Sequence, residues 1–524
     1  MMKLITAYLD QIMFLIDETP YFPFFTSLLV CILVIFWKQS RAGGLKSPPG
    51  PWKLPVIGNL HQMIGRLPHH TLRDLAKKHG PIMYLKLGQL DAVIISSAKG
   101  AREVLKTHEL TFAQRPKVWA AEVISFGQSS SIFAPYGDLW RSLRKICVFE
   151  LLSATRVQSF RSVREEEVWN LIESIGSMSH EGLAINFRDR CCSFTSGVVS
   201  KAAFGKKCKD QKEFLSLLDE VNKLASGFDI PDLFPSLSFL GFITGSIPAL
   251  KDIQSKLNTI LERIINDHKI KSNDKALKEE ENFVDVLLKL KESNKVEFNF
   301  TTNHIKDMIM DMFSAGSETS ATTLEWAMSE LMRSPRIMRR AQAEVRQLVL
   351  QSEGKKNKVI EERDVQKMDY LKSVVKETLR LHSPAPLLPR EARDTVQIGG
   401  FKVQVKSKVI INAWAIGRDP EIWGADAECF KPERFHGSSV DFKGFDFEFT
   451  PFGAGRRMCP GMSFGVTMVE LALAELLYHF DWKLANGMNP DELDMTESFG
   501  GVCKRENTLY LIATPHFTSV DESE

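Results

Sequence analysis

Between residues 21 and 37 the chain reads YFPFFTSLLVCILVIFW, a run without a charged residue. A helix of that length spans roughly 25 Å, close to a hydrocarbon core of about 30 Å. Asp10, Asp17 and Glu18 precede the run, and Lys38, Arg41 and Lys46 follow it. The cationic flank belongs on the cytoplasmic side, which predicts a single-pass anchor with the rest of the chain facing the cytosol. Basic residues stand where a cleavage site would lie, against a cleaved signal peptide. A second apolar stretch at 4–16 extends the anchor or lies at the interface. Past residue 47 the pattern changes. β-formers at 82–87 and 92–96 flank Gly88 and predict a hairpin. Most of 100–332 has helical character broken by Pro or Gly, and 371–382 and 462–479 read as helices too. Strands are expected at 403–411 and 509–514. The expected fold is mainly α with small β-sheets, behind one N-terminal transmembrane helix.

Composition adds limits. The chain has 524 residues, 44% of them hydrophobic, enough for a large core. No repeat, long Gly/Ser linker or low-complexity block divides it. The expected domains are therefore residues 1–46, an anchor with its flanks, and residues 47–524, one globular body. The Ser-Pro-Pro-Gly-Pro segment at 47–51 forms a stiff hinge between them, because prolines fix φ and remove donors. The Lys- and Glu-rich stretch at 272–281 reads as an exposed junction. A net charge of only +2 offers no footprint for nucleic acid. The eight cysteines are scattered, without the spacing of a zinc site or a disulfide framework.

One cysteine stands apart. Cys459 lies in Pro451-Phe452-Gly453-Ala454-Gly455-Arg456-Arg457-Met458-Cys459-Pro460-Gly461, just before the apolar run at 462–479. Glycines at 453 and 455 free the backbone to turn tightly and aim N–H groups at the sulfur. A helix N-terminus behind it favours a thiolate. Arg457 can pair with an anionic group of a bound cofactor. The same residues also suit an ordinary Gly-rich turn around a buried cysteine, so local chemistry leaves a metal ligand and a structural cysteine both open.

The pattern FxxGxRxCxG, met at Phe452, Gly455, Arg457, Cys459 and Gly461, resembles the haem-binding loop of the cytochrome P-450 superfamily. Companion motifs are present. Glu377-Thr378-Leu379-Arg380 and Pro432-Glu433-Arg434-Phe435 resemble the family's buried network, in which Glu377, Arg380 and Arg434 would lock the loop behind the haem. Ala315-Gly316-Ser317-Glu318-Thr319-Ser320 resembles its oxygen-activation motif. There Ala315 and Thr319 share a helix face, Thr319 can bond back to the carbonyl of residue 315, and Glu318 would relay protons. Trp140 and Arg144, four apart, and Arg390 would hold haem propionates.

The resemblance implies a haem-thiolate monooxygenase: haem b with Cys459 as axial ligand, O₂, and electrons from NADPH through a flavoprotein reductase. Arg141, Lys145 and Arg456 would dock that reductase. The anchor and hinge resemble the microsomal branch, placing the protein in the endoplasmic reticulum membrane. The phrasing DMFSAGSETSATTLEW and DMTESFG looks most like the plant 71 clan. A substrate pocket is expected around Ile124, Phe126, Phe228, Met312, Leu387 and Val502. Its apolar lining suits a small lipophilic substrate, expected to be a terpenoid, with a diterpenoid as one candidate. Alternatives are an alkaloid or phenolic substrate, a reductase-independent rearrangement or dehydration, and a non-catalytic haem protein.

Overall fold

The computed structural model describes Ser27 and residues 46–516, apart from 128, 181, 207–209, 225–227, 244, 273–280, 294–295 and 352–359. The expected anchor at 21–37, the stretch at 4–16 and nearly all of the junction at 272–281 lie outside the described residues. Among the described residues no helix is long and apolar enough to cross a membrane. The chain divides into two compact units, residues 1–47 with 400–402, and residues 48–399 with 403–524. In the first, Lys46 and Ser47 have no regular structure and a strand begins at Phe401.

Helices dominate. The longest, Thr302–Arg333, is buried along most of its length, with Leu324, Ala327, Met328 and Leu331 fully inside. Helices Phe187–Phe204, Asp369–Leu381 and Met462–His479 pack around it. Helix Phe187–Phe204 starts where the Asn186 side chain accepts from the Asp189 N–H, and stops at Gly205 in the left-handed region. Helix Met462–His479 spans the residues its apolar run predicts.

The hairpin is strands Ile82–Leu87 and Leu90–Ile95, turning at Gly88 with φ +60°. It belongs to a four-stranded sheet completed by Lys408–Asn412, parallel to Leu90–Ile95, and then Leu387–Glu391. The strand expected over 403–411 is two strands. One ends at Val403, Lys406 turns the chain at φ +67°, and the next begins at Lys408. β-propensity alone does not register that turn. The C-terminal strand, Tyr510–Pro515, pairs with Phe480–Leu484 and with Ile185–Asn186.

Candidate active site

The segment around Cys459 folds as a tight loop closed by its own backbone. The Cys459 N–H donates to the Phe452 carbonyl at 2.9 Å, and the Met458 N–H to that of Gly455 at 3.0 Å. Gly455 has φ +66°, and a Cβ there would stand 2.2 Å from the Leu105 carbonyl oxygen. Only glycine lets the two backbones come this close. Cys459 is exposed, and what it faces is an internal cavity. Burial pushes its thiol up, while the Gly461 N–H and Arg144 pull the other way.

Behind the loop the expected network is formed. Arg380 grips Glu377 in a bidentate pair, Nε to Oε2 at 2.7 Å and Nη2 to Oε1 at 2.8 Å, with both side chains fully buried. Arg434 Nε donates to Glu377 Oε1 at 2.9 Å. The remaining guanidinium hydrogens go mostly to carbonyls, with the Asp426 carboxylate 3.5 Å from Arg434. Arg380 reaches those of Gly417, Ala427 and Cys429, and Arg434 those of Trp423 and Asp426. The two arginines thereby fasten the irregular chain before the loop. Aromatic rings continue the connection: Phe435 to Phe449 at 5.0 Å, Phe449 to Phe442 at 6.1 Å, and Phe442 to Phe452 at 5.3 Å.

The same cavity is lined by Arg115, Trp140, Arg144, Arg390 and Arg457, and by Ala315 and Thr319. The four arginines are short of anions. Arg144 Nη2 donates to the Met458 carbonyl at 2.6 Å, Arg390 and Arg115 share the Pro389 carbonyl, and Arg457 bonds those of Ala113 and Ala134. Among the described residues no carboxylate pairs with any of them. Arg115 Nε and Arg457 Nη1 are buried without a hydrogen-bond partner. Burial lowers Arg115 to about 10 and Arg457 to about 9, and it also lowers Arg390, with Arg115 and Arg457 repelling it. Such a cluster is costly unless anionic groups enter it. A porphyrin carrying two carboxylates fits that deficit, and the cavity offers it a sulfur as well. Arg115 has no motif of its own; its Pro389 contact spans 274 residues, so only the folded chain reveals it.

On the long helix, Thr319 Oγ1 donates to the Ala315 carbonyl at 2.5 Å, the back-bond its spacing predicts. Glu318 does not reach the cavity. It pairs with Arg188 and lies 3.5 Å from Lys504, lining a separate polar cavity with Ser317 and Asp219. Successive residues on a helix point about 100° apart, so Thr319 and Glu318 cannot share one face. Trp140 also differs from expectation. Its Nε1 donates to the Ser131 carbonyl at 3.0 Å, and its ring lies 4.1 Å from the Arg457 guanidinium carbon.

Of the residues expected to line the substrate pocket, Met312 does so, joined by Ile132, Ala385 and Leu388. Ile124 lines a smaller neighbouring cavity. Phe126, Phe228, Leu387 and Val502 are not brought to the Cys459 cavity. Phe126 lies beneath the Lys306 ammonium, Phe228 sits edge-on to Phe499, and Leu387 packs on the four-stranded sheet. Two carboxylates on the long helix hold residues 125–127 and 129–131 in place. Asp307 accepts from the side chains of Ser125 and Ser129 and from the N–H groups of Phe126, Gly127 and Ser129. Asp311 accepts from Ser130 and from both the N–H and hydroxyl of Ser131. Asp307 lies one turn before Asp311, a spacing that could have suggested the pair.

A family model described as Cytochrome P450 matches residues 48–512. The chain is 54% identical over 493 residues to the melianol synthase CYP71BQ17 of Ailanthus altissima, covering 93% of this chain and 94% of that one. It is 49% identical over 497 residues to the premnaspirodiene oxygenase of Hyoscyamus muticus, covering 94% and 97%. A solved zebra fish cytochrome P450, in a structure with abiraterone, superposes with a TM-score of 0.72. That match has 24% identity and covers 86% of this chain and 100% of that one, and it speaks to the fold alone.

Proposed function

Because the chain belongs to the cytochrome P450 family and is a monooxygenase of it, we propose that it oxidises a lipophilic plant terpenoid, with Cys459 as the thiolate ligand of its haem. The observation that carries this reading is the single cavity that gathers Cys459, four arginines without counter-ions, and the Ala315–Thr319 notch. The relatives named melianol synthase and premnaspirodiene oxygenase support the substrate class. So does the apolar wall of Ile132, Met312, Ala385 and Leu388.

Cys459 would hold a haem, which would supply the activation of O₂ with electrons from NADPH through a reductase. The chain supplies the rest. Arg115, Arg144, Arg390 and Arg457 take up the two carboxylates of the cofactor. The Gly461 N–H donates to the sulfur, which favours the thiolate against the burial that opposes it. Ala315 leaves room beside the helix, and Thr319 holds a proton at Oγ1, which it can redirect from the Ala315 carbonyl into the cavity. Glu318, paired with Arg188, faces away from this cavity. The apolar wall excludes water and orients the substrate by shape.

The anchor belongs to the same reading, with residues 21–37 crossing the endoplasmic reticulum membrane and residues 47–524 forming the cytosolic catalytic domain. Phe239, Phe242 and Ile243 expose 55%, 62% and 75% of their surface, a patch suited to resting on lipid.

Expression in microsomes with a reductase, NADPH and a panel of terpenoids, read by mass spectrometry, tests the substrate class. A product one oxygen heavier is expected, and no turnover of any terpenoid beside turnover of a phenolic would overturn it. Cys459→Ala should abolish the thiolate-type spectrum of the reduced CO complex. Persistence of that spectrum would remove Cys459 as the ligand.

A further inference from the structure

Away from the cavity, the first turn of helix Pro68–His79 meets the hairpin of strands Glu497–Phe499 and Cys503–Arg505. His69 Nε2 lies 2.8 Å from Glu497 Oε2, and His70 Nε2 lies 2.7 Å from the same oxygen. Cys503 Sγ is 3.9 Å from His69 Nε2. Donor atoms of His69, Glu497 and Cys503 all fall within 4.8 Å of one another, and the three residues are buried. None of them lines the Cys459 cavity.

We propose that His69, Glu497 and Cys503, whose donor atoms already cluster, form with a turn of the neighbouring His70 ring a binding site for a zinc-type divalent cation. Two imidazole nitrogens, a carboxylate oxygen and a sulfur are the donor types such an ion takes, in a four-coordinate arrangement. Around a tetrahedral zinc, ligand atoms stand roughly 3.2–3.7 Å apart. The nitrogen–oxygen contacts must therefore open slightly and the sulfur–nitrogen contact of His69 close slightly, while His70, which stands outside the 4.8 Å set, must swing its partly exposed ring in to complete it. The sulfur selects against magnesium and calcium, which prefer oxygen. The carboxylate is already oriented from behind, since Trp414 Nε1 donates to Glu497 Oε1 at 3.1 Å. An entry path exists, because the His70 side chain is 35% exposed while that of His69 is sealed. Binding releases the Cys503 thiol proton to solvent and changes no oxidation state.

The ion would tie the helix to the hairpin. It would also act on the cavity wall, because the Cys503 N–H donates to the Pro384 carbonyl at 2.9 Å and Pro384 lines the Cys459 cavity. Without an ion the same side chains form only a hydrogen-bonded latch. Sequence spacing is blind to the site, since its two halves are 428 residues apart.

Titration of the chelator-washed holoenzyme with Zn²⁺ by calorimetry tests the proposal. Cd²⁺ serves as a second probe through its thiolate charge-transfer absorption. A Cys429→Ser background removes an exposed thiol. One ion per chain is expected, with a rise in melting temperature. The Cd²⁺ band should vanish in Cys503→Ala. Affinity should fall by more than about a hundredfold in His70→Ala, exceeding the loss of an outer-shell partner. His70 is partly exposed, so that variant reports even if Cys503→Ala folds poorly. Absence of a stoichiometric site, or binding unchanged in either variant, would reduce the cluster to the hydrogen-bonded latch.

Discussion

Thr319 is placed by a single hydrogen bond. Its hydroxyl spends its proton on the Ala315 carbonyl, leaving lone pairs toward the cavity both residues line. Removing the hydroxyl keeps the helix and takes away the proton-holding group. Thr319→Ala should therefore consume NADPH without matching product and release hydrogen peroxide, measured as product and peroxide per NADPH. Tight coupling in that variant would remove Thr319 from the chemistry. Glu470, inside helix Met462–His479, has a different consequence. Burial outweighs the attraction of Lys372 and Lys376 and pushes its carboxyl up to about 7. The folded chain thus keeps a proton that the unfolded chain releases near pH 4, so this group lowers stability as pH rises between those values. Glu470→Gln removes the penalty. Its advantage over the parent should grow from pH 5 to pH 8, reaching roughly 3 kcal/mol, in melts at the two pH values. An advantage that shrank with pH would mean Glu470 is ionised and paired in the fold.

Among elements, the decisive joint is between helix Asp369–Leu381 and the chain that precedes the cysteine loop. Glu377 is the one carboxylate facing both Arg380 and Arg434, and it also accepts from the Lys431 N–H at 2.8 Å. Truncating it strands the Arg380 guanidinium in the interior and leaves Arg434 only the more distant Asp426 carboxylate. Glu377→Ala should cost about 3–5 kcal/mol and yield protein without haem, read from the Soret absorbance per chain. Normal haem content would show that the loop holds its shape without the network. The spacing of Glu377 and Arg380 made their pairing legible, because residues three apart on a helix are neighbours whatever surrounds them. Arg434 was legible only through the resemblance of its motif, since its path to Glu377 crosses 57 residues.

At the scale of the molecule, charge and apolar surface determine what the body meets. Arg141 and Lys145 are exposed on helix Asp138–Lys145, and Arg456 is exposed on the cysteine loop. Arg141 shares its charge with Asp138, and Arg456 lies 3.1 Å from Glu109, which leaves Lys145 as the freest cation of the three. Arg141→Glu with Lys145→Glu should slow reductase-supported turnover at low salt. The difference should shrink as salt screens it, over a Debye length of about 8 Å at physiological strength. Equal turnover at low salt would place the reductase elsewhere.

What the sequence by itself determined is what local geometry transmits: the period of the helices, the hairpin at Gly88, the Glu377–Arg380 pair, the Thr319 back-bond and the tight loop around Cys459. Each depends on residues within a few positions of one another, so the pattern of the chain is also the pattern of the contact. The tertiary structure decided which groups face the cavity. It brought in Arg115 beside Arg390 and Arg457, turned Glu318 toward Arg188, and fastened residues 125–127 and 129–131 to Asp307 and Asp311. It kept Met312 at the wall while sending Phe126, Phe228, Leu387 and Val502 elsewhere, and it set Cys503 against His69. Those outcomes depend on how helices and strands distant in the chain rotate and pack against each other, and no periodicity encodes that rotation.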